Sequence, residues 1–210
     1  MKNKPVASIL KETYLFSFMN DEELESLTKI STIQNFQENS LLFTAGERSK
    51  YLYILIEGLV SIYKHDNKGN EIIIGFFKPF SLLAEAAIFK RVPFPSTAMF
   101  KTEGSIIKIK LDDFESVFLR DPRISYEIIQ SLLDKIQLLQ QNIHFNIAST
   151  AKEKILHFYK KNPSLGLELK KYEIAALLGM TGETLSRNIK QLLKDNKLIQ
   201  NEKVYTVNEN

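Results

Sequence analysis

LKKYEIAALLGMTGETLSRNIKQLLK, residues 169–194, decides how the rest of the chain is read. The pattern predicts two short helices joined by a tight turn. In the first, Ile174, Leu177 and Leu178 recur at i, i+3 and i+4 and give one apolar face. Gly179 ends it, because glycine takes the left-handed conformation that a helix terminus often needs. Thr181 then stands where an N-cap would start a second helix. There Leu185, Ile189, Leu192 and Leu193 form the stripe to be buried, and Glu183, Ser186, Arg187, Lys190 and Lys194 form the opposite face. A helix with an apolar back and this front suits the major groove of DNA. Its early residues reach base edges and its later lysines meet phosphate.

A short strand pair is expected next, Lys197-Leu198-Ile199-Gln200 and Val204-Tyr205-Thr206-Val207, split by the polar turn Asn201-Glu202-Lys203. It reads as the wing of a winged helix-turn-helix. The plainer alternative is a helical hairpin with a solvated charged face. The succession of helix, glycine turn, capped helix and strand pair argues against it.

Glu183-Thr184-Leu185-Ser186-Arg187 resembles the E-x-x-S-R recognition signature of the CRP/FNR family of bacterial transcription regulators, and the likeness extends over nearly the whole chain. The resemblance implies a homodimer on double-stranded DNA, with TTGAT-like half-sites arranged as a palindrome, and RNA polymerase as a further partner. Glu183 would accept from a cytosine amino group, Arg187 would donate to guanine or phosphate, and Ser186 would touch a base or a thymine methyl. Thr181, Lys190 and Lys194 are the candidates for phosphate contacts. Gly182 departs from catabolite-activator members, which carry an Arg there, so one guanine-reading contact should be missing.

Composition fits a regulator of this kind. With 44% hydrophobic residues in 210, the chain can bury real cores. It has no cysteine, which excludes disulfides, thiolate zinc sites and cysteine-held iron–sulfur clusters. No apolar run approaches the roughly 20 residues of a membrane span, and the N-terminus does not read as a signal peptide. A cytoplasmic location with no membrane partner is the expectation. Net charge is only +3, but it is unevenly placed. Residues 148–210 hold 11 Lys and Arg against 7 Asp and Glu, giving +4, whereas residues 1–147 hold 17 against 18, giving −1. The excess lies with the candidate recognition helix, as phosphate attraction requires.

The expected fold is α+β: an N-terminal antiparallel β-roll of the cyclic-nucleotide-binding type (1–120), a long dimerisation helix with a hinge (121–147), and the winged helix-turn-helix (148–210). Residues 1–30 read as helical, with Asn20 capping a helix whose first turn is Asp21-Glu22-Glu23 and whose Leu24 and Leu27 face inward. Short β-branched and aromatic runs follow at 41–43, 51–56, 59–63, 72–77 and 106–109, punctuated by turns such as Glu57-Gly58 and Glu103-Gly104. Closely spaced strands of this kind argue an antiparallel sandwich or barrel. Phe80 to Ala98 resembles the family's phosphate-binding cassette. In cyclic-AMP-binding members a Glu meets the ribose hydroxyl and an Arg-Ser pair meets the cyclic phosphate. Glu85 and Ser96 match the Glu and the Ser, whereas Pro95 stands in the Arg position and offers neither charge nor donor. Cyclic AMP is therefore disfavoured as effector. Glu85, Ser96, Ala86 and Phe94 remain candidates for a pocket taking another ligand, or for bracing and core. A heme-bound gas sensor and a ligand-free regulator are both open, and no residue pattern supports the heme.

Asp121-Pro122 opens the long helix, with Asp121 as N-cap and Pro122 in the first turn. Ile129, Leu132, Ile136, Leu139 and Ile143 follow a 3-4-3-4 spacing, the seam of a coiled coil and the expected dimer interface. Ile128, Leu133 and Leu138 would face the β-roll. Thr150-Ala151-Lys152-Glu153 has the form of a capping box that starts the next helix. His65, His144 and His157 are scattered without metal-ligand spacing. This weakens the rival reading, a small-ligand-binding or cupin-like enzymatic β-barrel without DNA binding. No P-loop, nucleophile elbow or dinucleotide fingerprint occurs, so no catalytic set is expected.

Overall fold

The computed structural model describes residues 5–65, 69, 71–162, 169–201 and 204–208, with the side chains of all of these except 138, 141–148, 201 and 204. Two compact units result, Met1–His65 with Ile74–Lys135, and Asp66–Ile73 with Ile136–Asn210.

The first unit begins with α1 (Val6–Glu12) and α2 (Asp21–Lys29). Asn20 caps α2 as expected: its side chain accepts from the Glu23 N–H while Glu23 accepts from the Asn20 N–H, a complete capping box. Eight strands follow: β1 (Ser31–Phe36), β2 (Leu41–Phe43), β3 (Tyr51–Glu57), β4 (Val60–His65), β5 (Glu71–Phe77), β6 (Leu82–Leu83), β7 (Thr97–Phe100) and β8 (Gly104–Lys110), with α3 (Glu85–Phe89) between β6 and β7. They form two four-stranded sheets, ordered β1-β8-β3-β6 and β2-β7-β4-β5. Every register recorded between these strands is antiparallel. Strands β1, β6 and β7 carry no strong alternation, so the sequence pattern does not mark them. β1, Ser31-Thr32-Ile33-Gln34-Asn35-Phe36, is a largely polar, exposed strand held by its pairing with β8.

β3 shows why the roll holds together. Leu52, Ile54 and Ile56 point into one cluster and Tyr53 and Leu55 into another, as the two-residue period of a strand dictates. One cluster is the interior between the sheets, with Phe43, Val60, Phe94 and Phe100. The other is a helical cover of Ile9, Leu10, Phe16, Leu24, Leu27 and Phe114. Buried on both faces, β3 is continuously apolar. Two turns meet tightly at its end: Gly58 has φ +92°, and a side chain on Gly104 would come within 2.2 Å of the Glu57 carbonyl oxygen. Glycine is required at both.

α4 (Leu111–Val117) leads to α5 (Pro122–Ala148), 27 residues and about 40 Å long. Asp121 caps α5 by accepting from the Arg123 N–H at 2.8 Å. Ile124 and Ile128 are buried in the helical cover and Leu132 packs partly against it. Tyr126, Ile129, Leu133 and Ile136 are exposed on the other side of the helix, as is Leu139. Two neighbours are placed differently from the expectation. Leu132, placed in the dimer seam, lies against its own roll, and Leu133, placed against the roll, is half exposed. Both readings share Ile129 and Ile136, and the row that covers the roll runs 124-128-132, leaving 126-129-133-136 outside. The side chains of Leu138 and Ile143 lie outside the described residues.

In the second unit α6 (Ala151–Lys161) opens with the expected capping box between Thr150 and Glu153. Then come α7 (Lys171–Leu177), α8 (Gly182–Lys194), β9 (Leu198–Asn201) and β10 (Val204–Val207). β9 and β10 pair antiparallel, Leu198 opposite Val207 and Gln200 opposite Tyr205. Residues 202 and 203 of the expected turn lie outside the described residues. No helix among the described residues is long and apolar enough to cross a membrane.

Candidate nucleic-acid interface

α7 and α8 are set by their ends. The Gly179 N–H donates to Ala176 O at 3.2 Å and the Met180 N–H to Ala175 O at 3.0 Å, with Gly179 at φ +65°. This is a Schellman ending, and it turns the chain within three residues. Thr181 then accepts from the Thr184 N–H at 3.2 Å and starts α8. α8 ends in a second Schellman motif, Asn196 N–H to Leu193 O and Lys197 N–H to Leu192 O, with Asn196 at φ +52°. At the start of α7 the buried Glu173, which the sequence reading passed over, accepts from the Lys170 N–H at 2.8 Å.

Leu185, Ile189 and Leu192 are buried beside Ile155, Phe158 and Tyr159 of α6, and Leu193 is half-buried. The rings of Tyr159 and Tyr205 lie 5.2 Å apart. Burial, with Tyr205 beside it, pushes the Tyr159 hydroxyl up to about 12, so it stays neutral. The back of α8 is thus fixed against α6 and the wing.

Its front is free of such packing. Glu183, Arg187, Lys190 and Lys194 are exposed and Ser186 is half-buried, and together with Gln191 they line one open concavity. Gln191, absent from the sequence reading, sits one turn beyond Arg187. Its Nε2 donates to Asp195 Oδ1 at 2.8 Å, and Lys152 Nζ meets Asp195 Oδ2 at 3.1 Å. These two contacts, Gln191 first, hold the Asp195 carboxyl below the usual carboxylate range. Thr181 is exposed, but its hydroxyl donates to Thr184 Oγ1 at 3.0 Å and accepts the capping bond. Cap formation accounts for that side chain, which makes it the weakest of the phosphate candidates.

The cassette on the roll is differently arranged. Glu85 is buried at the first position of α3, and its carboxylate accepts from the ammonium of Lys135 on α5. Ser96 is buried and Ala86 is exposed. Phe94 stacks on Phe43 with ring centres 4.0 Å apart, inside the roll. Of the two roles open to Phe94, pocket wall and core, this placement favours core. Pro95 is exposed. Arg91, a nearby guanidinium, bonds Asp112 at 2.8 Å and Glu115 at 2.6 Å. A cyclic nucleotide needs a cation for its phosphate and a free carboxylate for its ribose, and these residues do not fit it. No group of three or more metal-binding side chains occurs among the described residues.

The described elements make a β-roll of the cyclic-nucleotide-binding type, a long helix and a winged helix-turn-helix. The profile of the cyclic nucleotide-binding domain family matches residues 33–121. The anaerobic regulatory protein of Pasteurella multocida is 25% identical over 203 residues, covering 91% of this chain and 74% of that protein. The cAMP-activated global transcriptional regulator CRP of the same organism is 24% identical over 190 residues, 85% of this chain and 90% of that protein. Among solved structures, the c-di-GMP responsive global regulator CLP of Xanthomonas campestris superposes with a TM-score of 0.75 at 19% identity, over 91% of this chain and all of that one. Residues 33–121 thus match a cyclic nucleotide-binding domain, and most of the chain is similar to transcription regulators of the CRP/FNR type.

Proposed function

We propose that the protein is a DNA-binding transcription regulator that acts as a homodimer on a palindromic operator with TTGAT-like half-sites. The observation that carries this reading is α8 itself. Its apolar back is locked into the winged unit, and its front offers a carboxylate, a hydroxyl, a guanidinium and two ammonium groups in one row. Glu183, Ser186 and Arg187 would read bases, and Lys190 and Lys194 would meet phosphate. The exposed row Ile129, Leu133 and Ile136 on α5, with Leu139 beyond it, supplies a self-complementary apolar seam. Two copies joined there would present two recognition helices to successive major grooves about 34 Å apart. RNA polymerase is the further partner, and the cytoplasm, where the chromosome is, the expected location.

Selection of duplexes from a randomised palindrome pool, followed by gel shift with competitor DNA, tests the reading. Enrichment of TTGAT-like half-sites with two-fold spacing supports it. Binding with no sequence preference, or none at low salt, refutes it.

A further inference from the structure

Lys135 stands on the face of α5 that covers the roll. Ile124, Ile128, Leu132 and Lys135 follow at offsets of 0, 4, 8 and 11, so an apolar row ends in an ammonium. Its Nζ donates to the Glu85 carboxylate and, at 2.9 Å, to the Leu82 carbonyl oxygen, and lies 5.6 Å from the centre of the Phe77 ring. One atom of α5 thus gathers β5, β6 and α3. The Glu85 side chain is 4% exposed and that of Lys135 is 29% exposed, so the carboxylate is sealed in and the cation enters from the rim.

α3 is held by Ala87 and Ile88, which are buried in the roll, and by this tie. It has only five residues and no side-chain N-cap bond, and the chain reaches it through Ala84 in the left-handed region at φ +55°. So short a helix cannot hold itself in water. A carboxylate buried at its start is strongly unfavourable without a partner, and the chain supplies that partner from fifty residues away.

We propose that Lys135 is the resident occupant of the cassette: an internal cation that pins α3 to α5 and makes operator binding independent of any cyclic nucleotide. Glu85 is engaged from within, so a ribose hydroxyl would have to displace an ammonium to reach it. Lys135 acts as a positioning residue, because it touches no DNA and works through the seating of α5. The inference rests on the DNA-binding reading for its consequence, though not for its geometry.

The test uses the full-length chain and its Lys135→Met, Lys135→Arg and Glu85→Gln variants. Amide exchange over residues 82–89 reports the pin, and fluorescence anisotropy on a TTGAT-type palindrome reports its consequence. Lys135→Met and Glu85→Gln are expected to exchange at least roughly ten-fold faster in that segment, as loss of a partner from a buried pair demands. Operator affinity should fall in step, and Lys135→Arg should restore both. Millimolar cyclic AMP or cyclic GMP should leave wild-type affinity unchanged. Unaltered exchange in both charge-removing variants overturns the proposal. So does faster exchange with undiminished operator affinity, which would leave Lys135 a brace of the fold alone. Tightening of wild-type binding by either nucleotide overturns it without any variant, should Lys135→Met fail to fold. A wild-type protein that binds no DNA defeats the functional reading instead, and the exchange comparison still decides the pin.

Discussion

Lys152 in the first turn of α6 and Asp195 at the end of α8 are joined by an ion pair of 3.1 Å, and Gln191 holds the other oxygen of the same carboxylate at 2.8 Å. α8 is thereby tied to α6 at one end, as Thr181 and Gly179 fix it at the other. Glu153, next along α6, is also held below the usual carboxylate range, by the Thr150 backbone N–H and then its hydroxyl. A carboxylate with a folded pKa below its unfolded one stabilises the fold above the unfolded value. That contribution is lost as pH falls through the folded value. Ordinary values of 3.8 for Asp195 and 4.5 for Glu153 set the top of the window. Melting temperature is expected to be insensitive to these two groups above pH about 5 and to decline below it. The Asp195→Asn, Glu153→Gln double variant should show a shallower decline than wild type between about pH 4.5 and 3. Parallel acid limbs for the two proteins would sink this account.

Arg187 and Lys194 lie on the same face of α8, two turns apart, but they are expected to fail differently. Arg187 is proposed to read a base, so Arg187→Ala should cost about 1–3 kcal/mol on the operator and little on random duplex. Lys194 is proposed to meet phosphate. Lys194→Ala should weaken both DNAs alike and reduce the slope of log affinity against log salt by about 1. Titrations at several salt concentrations separate the two, and an equal loss on both duplexes for Arg187→Ala would remove it from base reading.

Gly182 begins α8, and a Cβ built there meets nothing within 4 Å. The position is not a glycine for want of room. Gly182→Arg is expected to fold with an unchanged melting temperature and to place a second guanidinium beside Glu183. Guanine offers the acceptors for it in the major groove, so the preferred half-site should shift toward a G next to the position read by Glu183. Sequencing of duplexes selected by the variant checks this, and an unchanged preference would show that the side chain does not reach the bases.

What the sequence disclosed was what repeats at short range. Leu185, Ile189 and Leu192 mark a helix by their spacing, and Asn20, Thr150 and Thr181 cap helices with the three residues that follow them. The tie that closes the cassette stayed hidden because it joins Glu85 to a residue fifty positions on, and no local pattern marks Lys135. Gln191 escaped because a neutral amide carries no charge signal. Leu132 and Leu133 were exchanged for a different reason. Two seams with the same alternation of three and four pass through Ile129 and Ile136, and only the position of the roll tells them apart.

Leu133 is half exposed on the row Tyr126, Ile129, Leu133, Ile136, whereas Leu132 packs partly into the cluster of Ile124 and Ile128. If α5 pairs with a second copy along the outer row, a charge at Leu133 must be desolvated in the dimer and stays in water in the monomer. Leu133→Asp should therefore raise the dimer dissociation constant at least about a hundred-fold, since leaving one buried charge unpaired costs about 3–5 kcal/mol, while the roll melts where it did. Leu132→Ala should do the reverse. Full burial of a leucine lost to alanine costs about 2–5 kcal/mol, and this side chain is only partly covered, so about 1–2 kcal/mol of roll stability is expected to go while dimer affinity moves little. Sedimentation velocity over a concentration series, together with thermal melts of both variants, reads the two quantities independently. If Leu132→Ala splits the dimer and Leu133→Asp does not, the seam lies where the repeat alone would have put it, and α5 turns to a different face when two copies meet.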